Sequence, residues 1–252
     1  MQSETLVAGG LTTHFWRGGR GEPLILLPGG MADVAFHWSP AWDVLAERYE
    51  IFAPDLPGLG KSQAMRPASF PAYADWLRAF CRTLGVRRPR VAGVDFGASV
   101  GRAFSANHPL ECAGLVMIGG GALPTILQRV LARVTPGERQ PSPAQLFSAA
   151  RLREMVNDPA LVTDDFVSAC QASSAIVTIL NQAIPGPRAR RRPQASTLVL
   201  WGENDRITPS AEARAMAQDM PTAAFRELRD LGHLPVIEAP GRTVEAMFAF
   251  LG

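Results

Sequence analysis

Cysteine, tyrosine and histidine are scarce in this sequence, with three, two and four copies in 252 residues. The cysteines, Cys81, Cys112 and Cys170, are odd in number and widely spaced. That excludes a disulfide framework and any paired metal-ligand spacing, and leaves buried thiols in a reducing cytoplasm as the expectation. Charge of one sign is lacking too. Twenty-five Lys and Arg against 23 Asp and Glu give a formal charge of +2 spread along the chain, so there is no clustered basic face of the kind a nucleic acid calls for. The local exception, Arg-Ala-Arg-Arg-Arg at 188–192 between Pro187 and Pro193, reads as a solvated loop rather than an anion or membrane-surface patch. Long apolar runs are missing, and the opening MQSETLVAGG has no basic stretch followed by an apolar one. Neither a membrane span nor an export signal is expected.

What is present is a good supply of core residues, 47% hydrophobic against 19% charged, in a chain long enough to bury them. Short apolar runs that end in Gly, Pro or Asp alternate with amphipathic stretches, the pattern of strand and helix units around a parallel sheet. Strands are expected at about 5–8, 11–17, 24–28, 50–54, 90–94, 114–118, 197–201 and 223–228. The runs LILLP, RVAGV, LVMIG and TLVLW are continuously apolar, as in strands covered on both faces. Helices are expected near 40–48, 70–84, 97–107, 209–219 and 241–250, with Pro209 suiting a helix start and Gly85 a stop. The rhythm breaks between 123 and 194, where PTILQRVLARV, SPAQLFSAARLREMV and DDFVSACQASSAIVTILNQ are helix-like. This divides the chain into a core of 1–122 and 195–252 and an inserted helical lid of 123–194, placed over the carboxyl ends of the strands, where open α/β sheets bind ligands.

Chemistry concentrates at VAGVDFGAS, 91–99. An apolar strand runs into Gly93-Val94-Asp95-Phe96-Gly97 and then a helix, the frame of a nucleophile elbow, whose glycines relieve crowding around one exposed side chain. Taken alone, Gly-x-Asp-x-Gly means an ordinary turn. Its context lifts it: WGENDRITP offers Asp205 at a strand end, LGHLPVIEAPG offers His233 before the last helix, and LLPGG at 26–30 follows a strand. In nucleophile–acid–histidine order, and in the PDLPGLGKS loop at 54–62, the chain resembles the α/β-hydrolase superfamily from about residue 20 to 250. The resemblance implies an α/β fold with a mostly parallel eight-stranded sheet flanked by helices. It also implies Asp95, Asp205 and His233 as the catalytic set, with the backbone N–H groups of Gly30 and Phe96 as oxyanion hole.

A carboxylate at the elbow is ionised at neutral pH and needs no base to make it a nucleophile. Attack on an ester carbonyl would give a mixed anhydride, whereas displacement at a saturated carbon gives an ordinary alkyl ester. Within the superfamily, an aspartate elbow resembles the epoxide hydrolase and haloalkane dehalogenase branch. The accessory groups depart from it. The two tyrosines, Tyr49 and Tyr73, precede the lid in which such epoxide hydrolases keep theirs. Phe96 and Gly30 stand where dehalogenases hold halide with a tryptophan and an amide, and Pro28 replaces the usual histidine of the His-Gly motif. The lid stretch NDPALVTDDFVSAC instead resembles serine esterases and carbon–carbon bond hydrolases, with Asp95 in the serine's place. Three readings follow: covalent hydrolysis through an alkyl-aspartate, a serine-lineage scaffold doing ester hydrolysis or general-base chemistry, and ligand binding alone.

Further candidates surround this set. Met31, His37, Trp38, Leu146, Ile176 and Leu234 are expected to line an apolar site for a compact, uncharged substrate, and His37 is the substitute for a missing proton donor. Gln171, Ser173, Ser174, Asn181 and Gln182 would touch substrate from the lid if that helix forms the roof. Asp33 suits either solvent or the pocket, while Asp55, His14 and His108 are expected to be structural. With no Gly-rich phosphate loop and no metal-ligand cluster in the sequence, no cofactor is expected.

Overall fold

The computed structural model describes residues 1–121, 142–172 and 192–252. Eight strands form one sheet: β1 (Gln2–Ala8), β2 (Leu11–Gly19), β3 (Glu22–Leu27), β4 (Tyr49–Pro54), β5 (Arg90–Val94), β6 (Gly114–Ile118), β7 (Thr197–Gly202) and β8 (Ala223–Leu228), in the order β1-β2-β4-β3-β5-β6-β7-β8. β1 and β2 form a hairpin, β2 meets β4 antiparallel, and every remaining pair is parallel. β6 is buried along its whole length, as its unbroken apolar run requires. All eight strands expected from the sequence form, with ends shifted by at most three residues.

The helices are α1 (Val34–Ala46), α2 (Phe70–Thr83), α3 (Asp95–Asn107), α7 (Ser210–Gln218), α8 (Pro235–Glu238) and α9 (Pro240–Leu251), with α4 (Pro143–Leu146), α5 (Ala149–Met155) and α6 (Asp164–Ala172) in the inserted region. α1 begins earlier than expected because Asp33 caps it: Phe36 N–H donates to Asp33 Oδ1 at 2.9 Å. A cap of this kind satisfies a donor the first helical turn leaves over, and it overrides Pro40, which lies inside the helix. Asp33 is thus neither a pocket acid nor a free surface charge.

Two cores flank the sheet. One gathers Leu27, Met31, Phe96, Leu146, Leu152, Phe166 and Leu234 with α2 and α3, so the inserted segment packs into it. The other, under α1 and α9, holds Leu24, Leu26, Trp38, Ala92 and Val116. At 0% exposure, Trp38 is sealed in that second core and gives its indole N–H to Leu27 O at 2.9 Å. The expectation that Trp38 lines the substrate site is therefore corrected. Its position four residues after the helix start turns it inward onto the sheet face opposite the inserted segment.

Candidate active site

The elbow forms as its glycines require. Asp95 has φ of +45°, a left-handed conformation that costs energy in a residue with a β-carbon. Crowding explains the flanking residues: a β-carbon at Gly97 would strike the carbonyl oxygens of Leu27 and Pro28, and one at Gly93 would strike the Gly97 backbone. The strand-to-helix turn is thereby fixed, and Asp95 becomes the first residue of α3.

The two carboxylate oxygens of Asp95 face different partners. Gly30 N–H donates to Oδ2 at 3.1 Å, and Phe96 N–H also supports the carboxylate. Oδ1 lies 3.9 Å from His233 Nε2. Asp95 keeps 20% side-chain exposure while the His233 side chain has none. On its other side the His233 imidazole meets Asp205 Oδ2 through Nδ1 at 2.8 Å. Asp205 is pinned in turn, because Ile207 N–H and Thr208 N–H donate to its Oδ1 at 2.8 and 2.9 Å. The structure thus brings Asp95, Asp205, His233, Gly30 and Phe96 together as the sequence order implied.

Electrostatics follow from this geometry. Burial alone would raise the Asp95 carboxyl, but the facing His233 imidazole and the N–H groups of Gly30 and Phe96 outweigh it and hold the carboxyl below its usual range. Burial would lower His233, yet the Asp205 carboxylate on one side and Asp95 on the other push it up to about 10. At neutral pH the ring is an imidazolium between two carboxylates.

The histidine loop is braced from the inserted segment. Gly232 N–H donates to both oxygens of Glu238 at 3.0 Å and Leu234 N–H to Oε1 at 3.1 Å. His233 N–H itself donates to Met155 O at 2.7 Å. Asn157 N–H reaches Glu238 Oε2 at 2.6 Å, and Asn204, beside the acid, donates to Asn157 Oδ1 at 2.8 Å. Glu238 therefore holds both neighbours of His233 and ties them to the segment after α5. Reading the sequence for titratable partners misses this residue. Its signal was a glutamate five positions after the histidine in LGHLPVIEAPG, just where a short helix turns back on the loop.

The remaining candidates divide. Met31, Leu146 and Leu234 are buried in the cluster that contains Phe96. Ile176, Ser173, Ser174, Asn181, Gln182 and most of the arginine run lie outside the described residues. Gln171 spends its amide N–H on Phe147 O at 3.1 Å. His37 is 1% exposed, and its Nδ1 faces the Asp33 carbonyl at 3.0 Å. A carbonyl only accepts, so Nδ1 carries the proton and Nε2 presents a lone pair. Burial drives this imidazole below its usual value, which the Asp33 carbonyl and the Asp95 charge do not reverse. His37 is neutral and its free nitrogen is an acceptor, so its reading as a proton donor is corrected. Neither tyrosine replaces it: Tyr73 gives its hydroxyl to Pro57 O and Tyr49 to Gly252 O.

Two histidines expected to be structural prove to be held in place: His14 lies against Asp55, and His108 Nε2 is 2.9 Å from Asp75 Oδ1. Asp55 does more than fix its own turn. Val34 N–H and Lys61 N–H both donate to it, which anchors the start of α1. Among the described residues no group of three or more His, Cys, Asp or Glu side chains is placed to hold a metal, and no helix is long and apolar enough to cross a membrane.

A family model described as "Alpha/beta hydrolase family" matches residues 24–246. The chain is 28% identical over 264 aligned positions to a dihydrolipoyllysine-residue acetyltransferase component of an acetoin cleaving system from Pseudomonas putida, covering 97% of this chain and 68% of that protein. It is 26% identical to a 2-hydroxy-6-oxo-6-phenylhexa-2,4-dienoate hydrolase from Burkholderia cepacia, covering 87% of this chain and 84% of that one. A thermophilic esterase from Thermogutta terrifontis, solved with malate bound, superimposes with a TM-score of 0.78 at 25% identity, over 100% of this chain and 98% of the other.

Proposed function

The chain belongs to the alpha/beta hydrolase family, and from that premise we propose that Asp95 attacks a saturated carbon of a small, largely apolar substrate. His233 then directs water at the resulting alkyl ester. The observation that carries this reading is the division of the carboxylate: Oδ2 rests on the Gly30 N–H while Oδ1 is left toward His233. In the first step Oδ1 forms the new carbon–oxygen bond. In the second, water adds to the Asp95 carboxyl carbon, and the oxyanion that develops on Oδ2 is already at the donors that stabilise it. A strained epoxide ring carries its own driving force for such a displacement. The inserted region, 123–194, is the lid of this site in the same reading.

Proton accounting supports the sequence of steps. Ring opening leaves an alkoxide that takes one proton from water, and the hydroxide so formed takes the proton that His233 must lose before it can act as a base. Esterifying Asp95 removes one of the two negative charges that hold His233 protonated, so the ring becomes a base only after the covalent bond has formed.

An ester substrate fits less well, because its carbonyl oxygen would need the Gly30 N–H that Asp95 Oδ2 occupies. The serine-lineage alternative nevertheless draws on the esterase and carbon–carbon hydrolase relatives. Two variants separate the readings. Incubating His233→Gln with styrene oxide should trap one alkyl group per chain on Asp95, seen by intact mass and peptide mapping; no adduct at Asp95 would refute the covalent scheme. Gain of short aryl ester hydrolysis in Asp95→Ser, with no epoxide turnover in the parent chain, would favour the serine lineage.

A further inference from the structure

A serine, a histidine and an aspartate stand in line at the far edge of the sheet, apart from the elbow. Ser3 Oγ lies 2.8 Å from His14 Nε2, and His14 Nδ1 lies 2.8 Å from Asp55 Oδ2. Ser3 pairs with Trp16 across the hairpin and Thr5 with His14. Directly opposed residues share a sheet face and alternate residues return to it, so Ser3, Trp16 and His14 lie on one face. Ser3 is exposed on the edge strand β1, whereas His14 and Asp55 are 5% and 1% exposed. Because the Asp55 carboxylate accepts, Nδ1 of His14 carries a proton, and in the neutral ring Nε2 offers its lone pair to the Ser3 hydroxyl. Asp55 is itself fixed by Val34 N–H and Lys61 N–H, and the Trp16 ring meets the His14 ring edge-on at 6.0 Å between centroids.

We propose that Ser3 is a second nucleophile, independent of Asp95, that takes up activated acyl or phosphonyl groups at the surface. A nucleophile within hydrogen-bond reach of a base that a third group orients is the arrangement that activates a hydroxyl, and geometry rather than sequence position identifies it. On reaction with an alkyl fluorophosphonate, Ser3 Oγ forms the bond to phosphorus, the phosphorus–fluorine bond breaks, and fluoride leaves with the electron pair. The hydroxyl proton passes to His14 Nε2. With an activated aryl ester, the same proton goes on to the departing aryloxide. Trp16 offers an apolar wall for the alkyl or aryl part of the reagent.

The test is labelling of the intact chain with an alkyl fluorophosphonate, followed by intact mass and peptide mapping. Ser196, an exposed serine elsewhere on the surface, serves as internal reference. The expected result is one adduct per chain at Ser3, formed at least about 100-fold faster than at Ser196 and absent from Ser3→Ala. His14→Gln should slow the labelling at least about tenfold, the loss expected when a general base is removed. If that variant does not fold, the same loss is read on the wild-type chain in urea. Labelling of Ser3 no faster than of Ser196, no labelling at all, or a rate unchanged both in His14→Gln and on unfolding would each overturn the proposal.

Discussion

His233 with Asp205 and His14 with Asp55 are built alike, each with a 2.8 Å contact from Nδ1 to a carboxylate oxygen and each with an aspartate that backbone N–H groups hold still. They differ in what meets Nε2. At the elbow it is a second carboxylate at 3.9 Å; at the hairpin it is a serine hydroxyl at 2.8 Å. The carboxylate helps keep one ring protonated until that charge is cancelled, while the hydroxyl brings no charge and can donate to Nε2 or accept from it. A histidine–aspartate pair therefore has no fixed chemistry of its own, and the third group sets its proton inventory.

Substitution of the two aspartates is the sharpest way to break the comparison. Asp205→Asn should lower turnover by about 10⁴-fold, the size expected when the orienting acid of a catalytic histidine is lost, with a modest change in melting temperature. Asp55→Asn should do the reverse and cost roughly 3 kcal/mol of stability by stranding the buried His14 and loosening the Val34 N–H contact at the start of α1. Turnover per folded molecule and a denaturant melt decide this; a large catalytic loss in both variants would erase the distinction.

Next in size is Glu238→Gln, which leaves one acceptor oxygen where the loop uses two. Mispositioning of His233 should slow hydrolysis of the alkyl-enzyme about 10- to 100-fold and leave formation of the adduct unchanged. Stopped reactions analysed by mass would show the ester accumulating. Equal slowing of both steps would mean that the residue serves stability alone.

A pH series sharpens the comparison further. His233 is raised from 6.5 to about 10 in the folded chain. Its contribution to stability is therefore whole below about 6.5 and is lost as pH climbs toward 10. Melts from pH 6 to 10 should fall in the wild type and flatten over that window in His233→Gln; parallel curves would contradict the imidazolium assignment. The smallest effect is expected for Ser3→Ala, within about 0.5 kcal/mol of wild-type stability by the same melts, since the hydroxyl is exposed.

Much of the fold could be read from residue order. Continuous apolar runs placed the sheet strands, and Asp95, Asp205 and His233 stood out because strand ends punctuated by Gly and Asp mark where an α/β sheet presents side chains. What stayed hidden depends on which way a side chain turns. Trp38 looked like a site residue because it follows the oxyanion loop, yet one helical turn carries it to the other face of the sheet. His37 looked like a donor until the Asp33 carbonyl fixed its tautomer. Glu238 and Ser3 act through backbone N–H groups and a cross-strand neighbour, and neither relation leaves a periodic trace in the sequence.

The central claim is that Asp95 itself becomes esterified, and one measurement reaches it directly. In a single turnover of a small epoxide in heavy-oxygen water, with enzyme in excess, hydrolysis at the Asp95 carboxyl carbon must leave the label in that side chain and the first-formed diol unlabelled. If product forms while Asp95 stays unlabelled and the diol carries the heavy oxygen, water has attacked the substrate directly and the covalent mechanism is wrong.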